Sequence, residues 1–199
     1  MSRILSIVVA DDESAMRDYF QELLPRLGHR AAVAADGKQL VDLCRASRPD
    51  LIITDIRMGD TDGLEAAEAI NREVEVPVIL VSAHHDSELQ ARALRDHVMA
   101  YLVKPVKEAD LRTAIDLAML RFGHFQALKK EAADLKQALE DRKVVERAKG
   151  AVVRRSGVPE AEAFRRLRKY ASDRNLKLVE VARQVLAAEE VFHELDDRR

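Results

Sequence analysis

The chain has 199 residues, 47% hydrophobic and 34% charged, with a formal net charge of −2, enough for one ordinary domain and a smaller second one. A single cysteine, Cys44, excludes an internal disulfide framework and fits a reducing compartment. No apolar stretch approaches the ~20 residues that span a bilayer, and the first apolar run breaks at Asp11-Asp12, so a cytoplasmic protein without a signal peptide or membrane contact is expected.

The first run, Ile4–Ala10, has the composition of a buried strand. Glu13–Leu27 then carries apolar residues at helical spacing (Met16, Tyr19, Phe20, Leu23, Leu24, Leu27) and stops at Gly28. Arg30–Ala35 has the character of an edge strand. Asp36 can cap a helix that passes through Cys44, a small buried residue there, and ends by Pro49. Leu51–Thr54 ends at Asp55, and a third helix begins near Asp62 and runs through Leu64, Ala67 and Ile70. Pro77 opens Val78–Val81, Asp86 and Ser87 can cap a fourth helix, and Met99–Val103 ends at Lys104-Pro105. Five strand–helix units predict an α/β fold, a doubly wound, flavodoxin-like parallel sheet of five strands in the order 2-1-3-4-5.

Asp11, Asp12, Asp55, Ser82 and Lys104 each sit where one of these apolar runs ends. The carboxyl ends of parallel strands line one edge of the sheet, where ligands of open α/β sheets bind. Carboxylates converging there repel one another unless a cation joins them, and an all-oxygen set suits Mg²⁺. A lysine and a hydroxyl beside them complete a site able to hold a metal and a phosphoryl group. His84 and His85 are an exposed loop pair, since adjacent side chains diverge and no third ligand has a suitable spacing.

The helix that begins near Lys107 meets no stop signal. Leu111, Ile115, Ala118, Phe122, Phe125, Leu128, Ala132, Leu135 and Leu139 follow at intervals of three and four, a heptad seam with one irregularity near Phe125–Leu128. Gly123 beside it invites a kink or break. The seam can pair with a second chain or pack on its own domain. Beyond it, Val145, Ala148 and Val152 mark one short helix, ending near Ser156-Gly157. Ala163, Phe164, Leu167 and Ala171 mark a second, with Pro159 at its first turn and Phe164 in its core face. Leu178, Val181, Ala182 and Val185 mark a third, and Asn175 can end one helix or cap the next. This predicts a long helix or coiled coil followed by a small three-helix bundle, with a fraying polar tail from Glu189. The expected divisions are 1–121, a helical linker at 122–139, the bundle at 140–187 and the tail at 188–199.

Charge divides along the same line. Residues 1–121 hold 15 basic against 21 acidic side chains, and residues 140–185 hold 13 against 7. The basic excess suits nucleic acid, or on charge alone a solvated helical face.

Residues 1–121 resemble the receiver domain of two-component response regulators. The matching pieces are Val8-Val9-Ala10-Asp11-Asp12-Glu13, Leu51-Ile52-Ile53-Thr54-Asp55-Ile56-Arg57-Met58, Asp62-Gly63, Val81-Ser82-Ala83 and Tyr101-Leu102-Val103-Lys104-Pro105. Gly59 stands where a proline is usual, His97-Val98 replace a Gly-Ala pair, and Val106 replaces a common Phe. The resemblance implies Asp55 as phosphoacceptor for a sensor histidine kinase. It implies Mg²⁺ held by Asp12, Asp55 and the Arg57 backbone carbonyl, with Asp11 acting through water. Lys104 and Ser82 would meet the phosphoryl oxygens, Tyr101 would act with Ser82 as the switch, and Arg57 and His84 would flank access.

Residues 140–187 resemble the ANTAR module, an RNA-binding antitermination domain, through Val145-Glu146-Arg147-Ala148-Lys149-Gly150, Ala163-Phe164-Arg165-Arg166-Leu167-Arg168, Ala171, Asn175-Leu176-Lys177-Leu178 and Val181-Ala182. The candidates for RNA contact are Lys149, Arg165, Arg166, Arg168, Lys169, Arg174, Lys177 and Arg183, with Tyr170 as a stacking surface. Together the two resemblances imply a regulator and not an enzyme: a phosphorylation-controlled transcription antiterminator that binds hairpins in nascent leader RNA, as a homodimer when phosphorylated. The rivals are a DNA-binding response regulator and a receiver whose helices dimerise or bind a protein.

Overall fold

The computed structural model describes residues 3–58, 61–83 and 97–196. Gly59, His84, His85 and the expected caps Asp86 and Ser87 lie outside them. Two compact units divide the chain, Met1–Ala127 and Leu128–Arg199.

The first unit is built on five parallel strands, β1 (Ser6–Ala10), β2 (Arg30–Ala34), β3 (Leu51–Asp55), β4 (Val78–Ser82) and β5 (Val98–Val103), in the expected order 2-1-3-4-5. Every residue of β3 and β4 is buried, as continuous apolar runs covered on both faces must be, while β2 is a half-exposed edge. Register decides the site. Ala10 lies beside Thr54, Asp55 beside Val81, and Ser82 beside Val103, so four strands end level.

Helices α1 (Ser14–Arg26), α2 (Gly37–Ser47) and α3 (Gly63–Glu73) cover the sheet. Phe20, Leu23 and Leu24 of α1 pack with Ile7, Val9, Ile53 and Ile79 on one face. Leu40 and Cys44 of α2 pack with Leu64, Ala67 and Ile70 of α3, and with Val8, Ile52 and Leu80, on the other. The short acids start the helices as expected: Asp36 accepts a hydrogen bond from the Gln39 backbone N–H, and Asp62 from that of Leu64. Gly28, at φ +87°, closes α1 with the His29 N–H on the Leu24 carbonyl.

Helix α4 runs unbroken from Glu108 to Ser156, so the expected break at Gly123 is absent, and the first helix of the bundle is the end of this same helix. One glycine costs a helix only about 1 kcal/mol against alanine. Its neighbours also hold the segment down. Phe122 and Phe125 stack at 6.4 Å, His97 meets Phe125 edge-on, and Arg121 donates to the Met99 carbonyl. The heptad seam divides at this point. Leu111, Ile115 and Ala118 are buried, whereas Leu128, Leu135 and Leu139 are 60–66% exposed.

In the second unit, the end of α4 packs with α5 (Glu160–Asp173) and α6 (Leu178–Asp196) around Ala148, Leu167, Ala171, Val181 and Ala182. Asn175 ends α5 in the left-handed conformation, φ +53°, with the Leu176 N–H on the Ala171 carbonyl. The Glu180 carboxylate reaches back to the Lys177 N–H and starts α6. Two expectations fail here. Phe164 is exposed, because Ala163, Leu167 and Ala171, four residues apart, take the core face of α5 and turn the neighbouring position away from it. The residues from Glu189 to Asp196 are helical, held by Arg154–Glu189 at 2.7 Å and by the Arg155 guanidinium 3.9 Å from the Phe192 ring centre.

Burial pushes the Cys44 thiol up to about 12, and the thiolate is the reactive form. The folded protein should therefore leave Ellman's reagent unreacted near pH 8, and release one equivalent once unfolded in urea. Rapid reaction in the native state would place Cys44 outside the core.

Candidate functional site

The level strand ends bring four carboxylates together. Asp11, Asp12, Glu13 and Asp55 each offer an oxygen within 4.8 Å of the others. Asp55 is buried at the end of β3, where its Oδ1 accepts the Arg57 backbone N–H at 3.0 Å and its Oδ2 accepts the Lys104 ammonium at 2.6 Å. Asp11 is buried and accepts the Glu13 N–H at 3.0 Å, with Lys104 2.9 Å away; Asp12 and Glu13 are exposed. Desolvation raises the Asp11 pKa from its ordinary value, against the lowering influence of Lys104 and the Glu13 N–H. For Lys104 burial acts downward, but hydrogen bonds to Asp55, Glu13 and Asp11 outweigh it, and its pKa lies above that of an ordinary lysine.

Among the described residues, one ammonium contacts three of these four carboxylates, and the donor set is all oxygen with negative charge in excess. Those properties fit a hard divalent cation, and the two exposed carboxylates give it a way in. Ser82, buried at the end of β4, and Lys104 are joined through the Lys104 N–H on the Ser82 carbonyl, 2.8 Å. Tyr101 lies in β5 opposite Leu80, half-buried and packed against the face that carries α2 and α3. Arg57 lies with Met58 in a two-residue antiparallel ribbon against Thr61 and Asp62, directly after Asp55.

Three supporting residues were not assigned a role from sequence. Glu13 holds Lys104 at 2.9 Å. Arg17 donates through one nitrogen to the Asp11 and Asp12 carbonyls, both at 2.8 Å, fixing the backbone of the acid pair. Its position one helical turn beyond Glu13 was the available signal. Gly63 lies against the end of β3, where a Cβ would collide with the Asp55 carbonyl oxygen and approach Thr54 Oγ1.

The basic unit sorts its candidates. Lys149 is only 15% exposed and held by Glu146 and by Glu160 at 2.6 Å, so it fastens α4 to the start of α5. Arg165 and Arg166 share Glu162, and Arg183 pairs with Asp141 at 3.2 Å. Arg168, Lys169 and Lys177 are exposed. Tyr170 is 43% exposed with the Arg174 guanidinium 4.6 Å from its ring centre.

The response regulator receiver domain family matches residues 7–116, and the ANTAR domain family matches residues 133–186. Over 181 residues the chain is 38% identical to the transcriptional regulatory protein PdtaR of Mycobacterium tuberculosis, covering 90% of this chain and 88% of that one. It is 36% identical over 118 residues to the transcriptional regulatory protein AfsQ1 of Streptomyces coelicolor, covering 59% and 52% of the two chains. A crystal structure of a response regulator receiver domain protein from Clostridium thermocellum superposes with a TM-score of 0.56 at 27% identity, covering 60% of this chain and 98% of that one.

The contact at Gly63 yields a test. Gly63→Ala must push β3 and α3 apart, costing about 1–3 kcal/mol in urea unfolding. It should also weaken the rise in melting temperature on adding Mg²⁺, since Asp55 moves with the strand end. An unchanged melt and an unchanged Mg²⁺ response would show that the backbone yields without consequence.

Proposed function

We propose that this chain, which belongs to the response regulators joining a receiver domain to an ANTAR domain, is a cytoplasmic two-component transcription antiterminator switched by phosphorylation of Asp55. The observation that carries the reading is the Asp55 carboxylate, fixed at a strand end 2.6 Å from Lys104 and among three further carboxylates. A carboxylate so held is a nucleophile with its counter-charge already in place.

In the step proposed, an Asp55 carboxylate oxygen attacks the phosphorus of a phosphohistidine on a sensor histidine kinase. A P–O bond forms as the P–N bond breaks, and the electron pair leaves with the imidazole. Asp12, Asp55 and the Arg57 carbonyl, with Asp11 acting through water, would hold Mg²⁺, which when bound would supply the positive charge that an anionic donor needs to approach this pocket. Lys104 shifts its hydrogen bond from the carboxylate to a phosphoryl oxygen, and the Ser82 hydroxyl donates to another. Movement of Ser82 opens space for Tyr101 to turn inward, which re-shapes the face next to β5 and α4.

The output is assigned to the second unit, binding hairpins of a nascent leader transcript so that a terminator does not form. The exposed seam of Leu128, Leu135 and Leu139 suits a parallel partner helix from a second copy, which would set two RNA-binding units side by side. Among the candidates, Arg168, Lys169 and Lys177 are best placed for phosphates, and Tyr170 with Arg174 for a base.

With Mg²⁺ and a small phosphodonor, intact mass should show one added phosphoryl group, stable in acid and labile in base. It should be absent in Asp55→Asn; undiminished labelling of that variant would remove Asp55 from the role. For the output, affinity for hairpin RNA should fall as salt rises. Arg168→Ala should weaken binding to all hairpins alike and lower the salt slope by about one, as loss of one phosphate contact does. Fluorescence titration against hairpin RNA and duplex DNA checks this, and equal preference for the duplex would favour a DNA-binding regulator.

A further inference from the structure

The last turns of α6, expected to fray, carry a built feature. Phe192 is 46% exposed, yet its ring is not bare: the Arg155 guanidinium, from the end of α4, lies 3.9 Å from the ring centre. Beside this pair the two helices part around a cavity of about 510 Å³, in the range of sites that hold small planar ligands. Its floor is Ala151, Val152, Val185 and Ala188, and Arg154 stands at its rim with its charge engaged by Glu189 at 2.7 Å. Val152, Val185 and Ala188 also line a second cavity of about 310 Å³ that reaches Tyr170, where the Arg174 guanidinium covers the ring. Two aromatic rings, each beside an arginine, therefore stand at neighbouring cavities that share Val152, Val185 and Ala188.

We propose that the cavity beside Phe192 is a base-reading site, in which the slot between Phe192, Arg155 and Ala188 takes an unpaired RNA base stacked against the arginine–phenyl pair. The proposal rests on the RNA-binding reading above and adds to it a second platform, on a helix end outside the segment that resembles the ANTAR module. Three physical points favour a nucleobase. Every base has an apolar face suited to a ring and a guanidinium, so a slot walled by both accepts it without sequence-specific hydrogen bonds. Arg147, exposed on the same end of α4, lies near the slot and can meet a phosphate that flanks an extruded base, while Arg154 is held by Glu189. A second copy of this chain is the poorer occupant, because a two-fold contact here would set the arginines of both copies against each other.

The full-length protein is the test material, titrated with two labelled RNAs sharing one stem: a pool with randomised loops, and the same stem closed by an abasic loop. Wild type should prefer the randomised pool. Phe192→Leu should lower affinity for the pool roughly tenfold, leave the abasic hairpin unchanged, and keep the wild-type thermal melt, while Phe192→Tyr retains the preference. Wild-type affinity of Phe192→Leu for the pool would overturn the proposal. So would an equal loss on both RNAs, which would mean a change in fold or phosphate contact, or a shift in molar mass by sedimentation without any RNA effect, which would mean an interface between copies. If wild type binds neither hairpin better than duplex DNA, the RNA reading itself fails, and that result is distinct from a failure at Phe192 alone.

Discussion

Among the described residues, Lys104 is the cation whose ammonium contacts the carboxylates at the sheet edge, and the arrangement there depends on it. Two unit charges 4 Å apart repel by about 4 kcal/mol at an effective dielectric of 20, so Asp11 and Asp55 could not share that edge uncompensated. The ammonium contacts Asp55, Asp11 and Glu13 within 3 Å and so ties the end of β5 to the ends of β1 and β3. Among the described residues it is still one ammonium beside four carboxylates, an imbalance that fits a divalent ion.

Register carries this interaction into the fold. Lys104 can reach Asp55 and Asp11 because β1, β3, β4 and β5 end level, and they end level because each apolar run stops at a polar residue that cannot enter the sandwich of helices. That is why strand order and the acid–lysine–serine set were legible in the sequence: burial on both faces writes a continuous apolar run, and the functional residues punctuate it. Glu13 was not legible as a partner of Lys104, since an acid after Asp-Asp at a helix start is equally a favourable charge for the helix dipole. Gly63 needed the three-dimensional approach of α3 to the Asp55 carbonyl, which no local pattern encodes.

The seam of α4 shows how one sequence period serves two environments. Leu111, Ile115 and Ala118 are buried against the sheet, whereas the same spacing at Leu128, Leu135 and Leu139 leaves leucines in solvent. Periodicity identifies an apolar face but not what covers it: the reading of a helix packed on its own domain holds for the first half of the seam, and the second half stands exposed. The break expected at Gly123 failed for the complementary reason. Local propensity is worth about 1 kcal/mol, and the Phe122–Phe125 stack and the Arg121 contact oppose it from both sides of the glycine.

In the second unit, charge count overstated what is available to a ligand, and the alanine core explains where the useful chemistry went. Carboxylates at Asp141, Glu146, Glu160, Glu162 and Glu189 already engage Arg183, Lys149, Arg165, Arg166 and Arg154. Exposed pairs of this kind contribute little stability, and a polyanion can open them at small cost. Lys149 differs, because it is nearly buried and links two helices. Ala148, Ala163, Ala171 and Ala182 are buried in that core, and the unit's aromatic rings lie outside it. Tyr170 and Phe192 stand at its margin instead, each under a guanidinium. A bundle too small to bury its aromatics presents them to solvent at fixed positions, and flat, cation-backed surfaces at fixed positions are what recognition of an unstacked base requires.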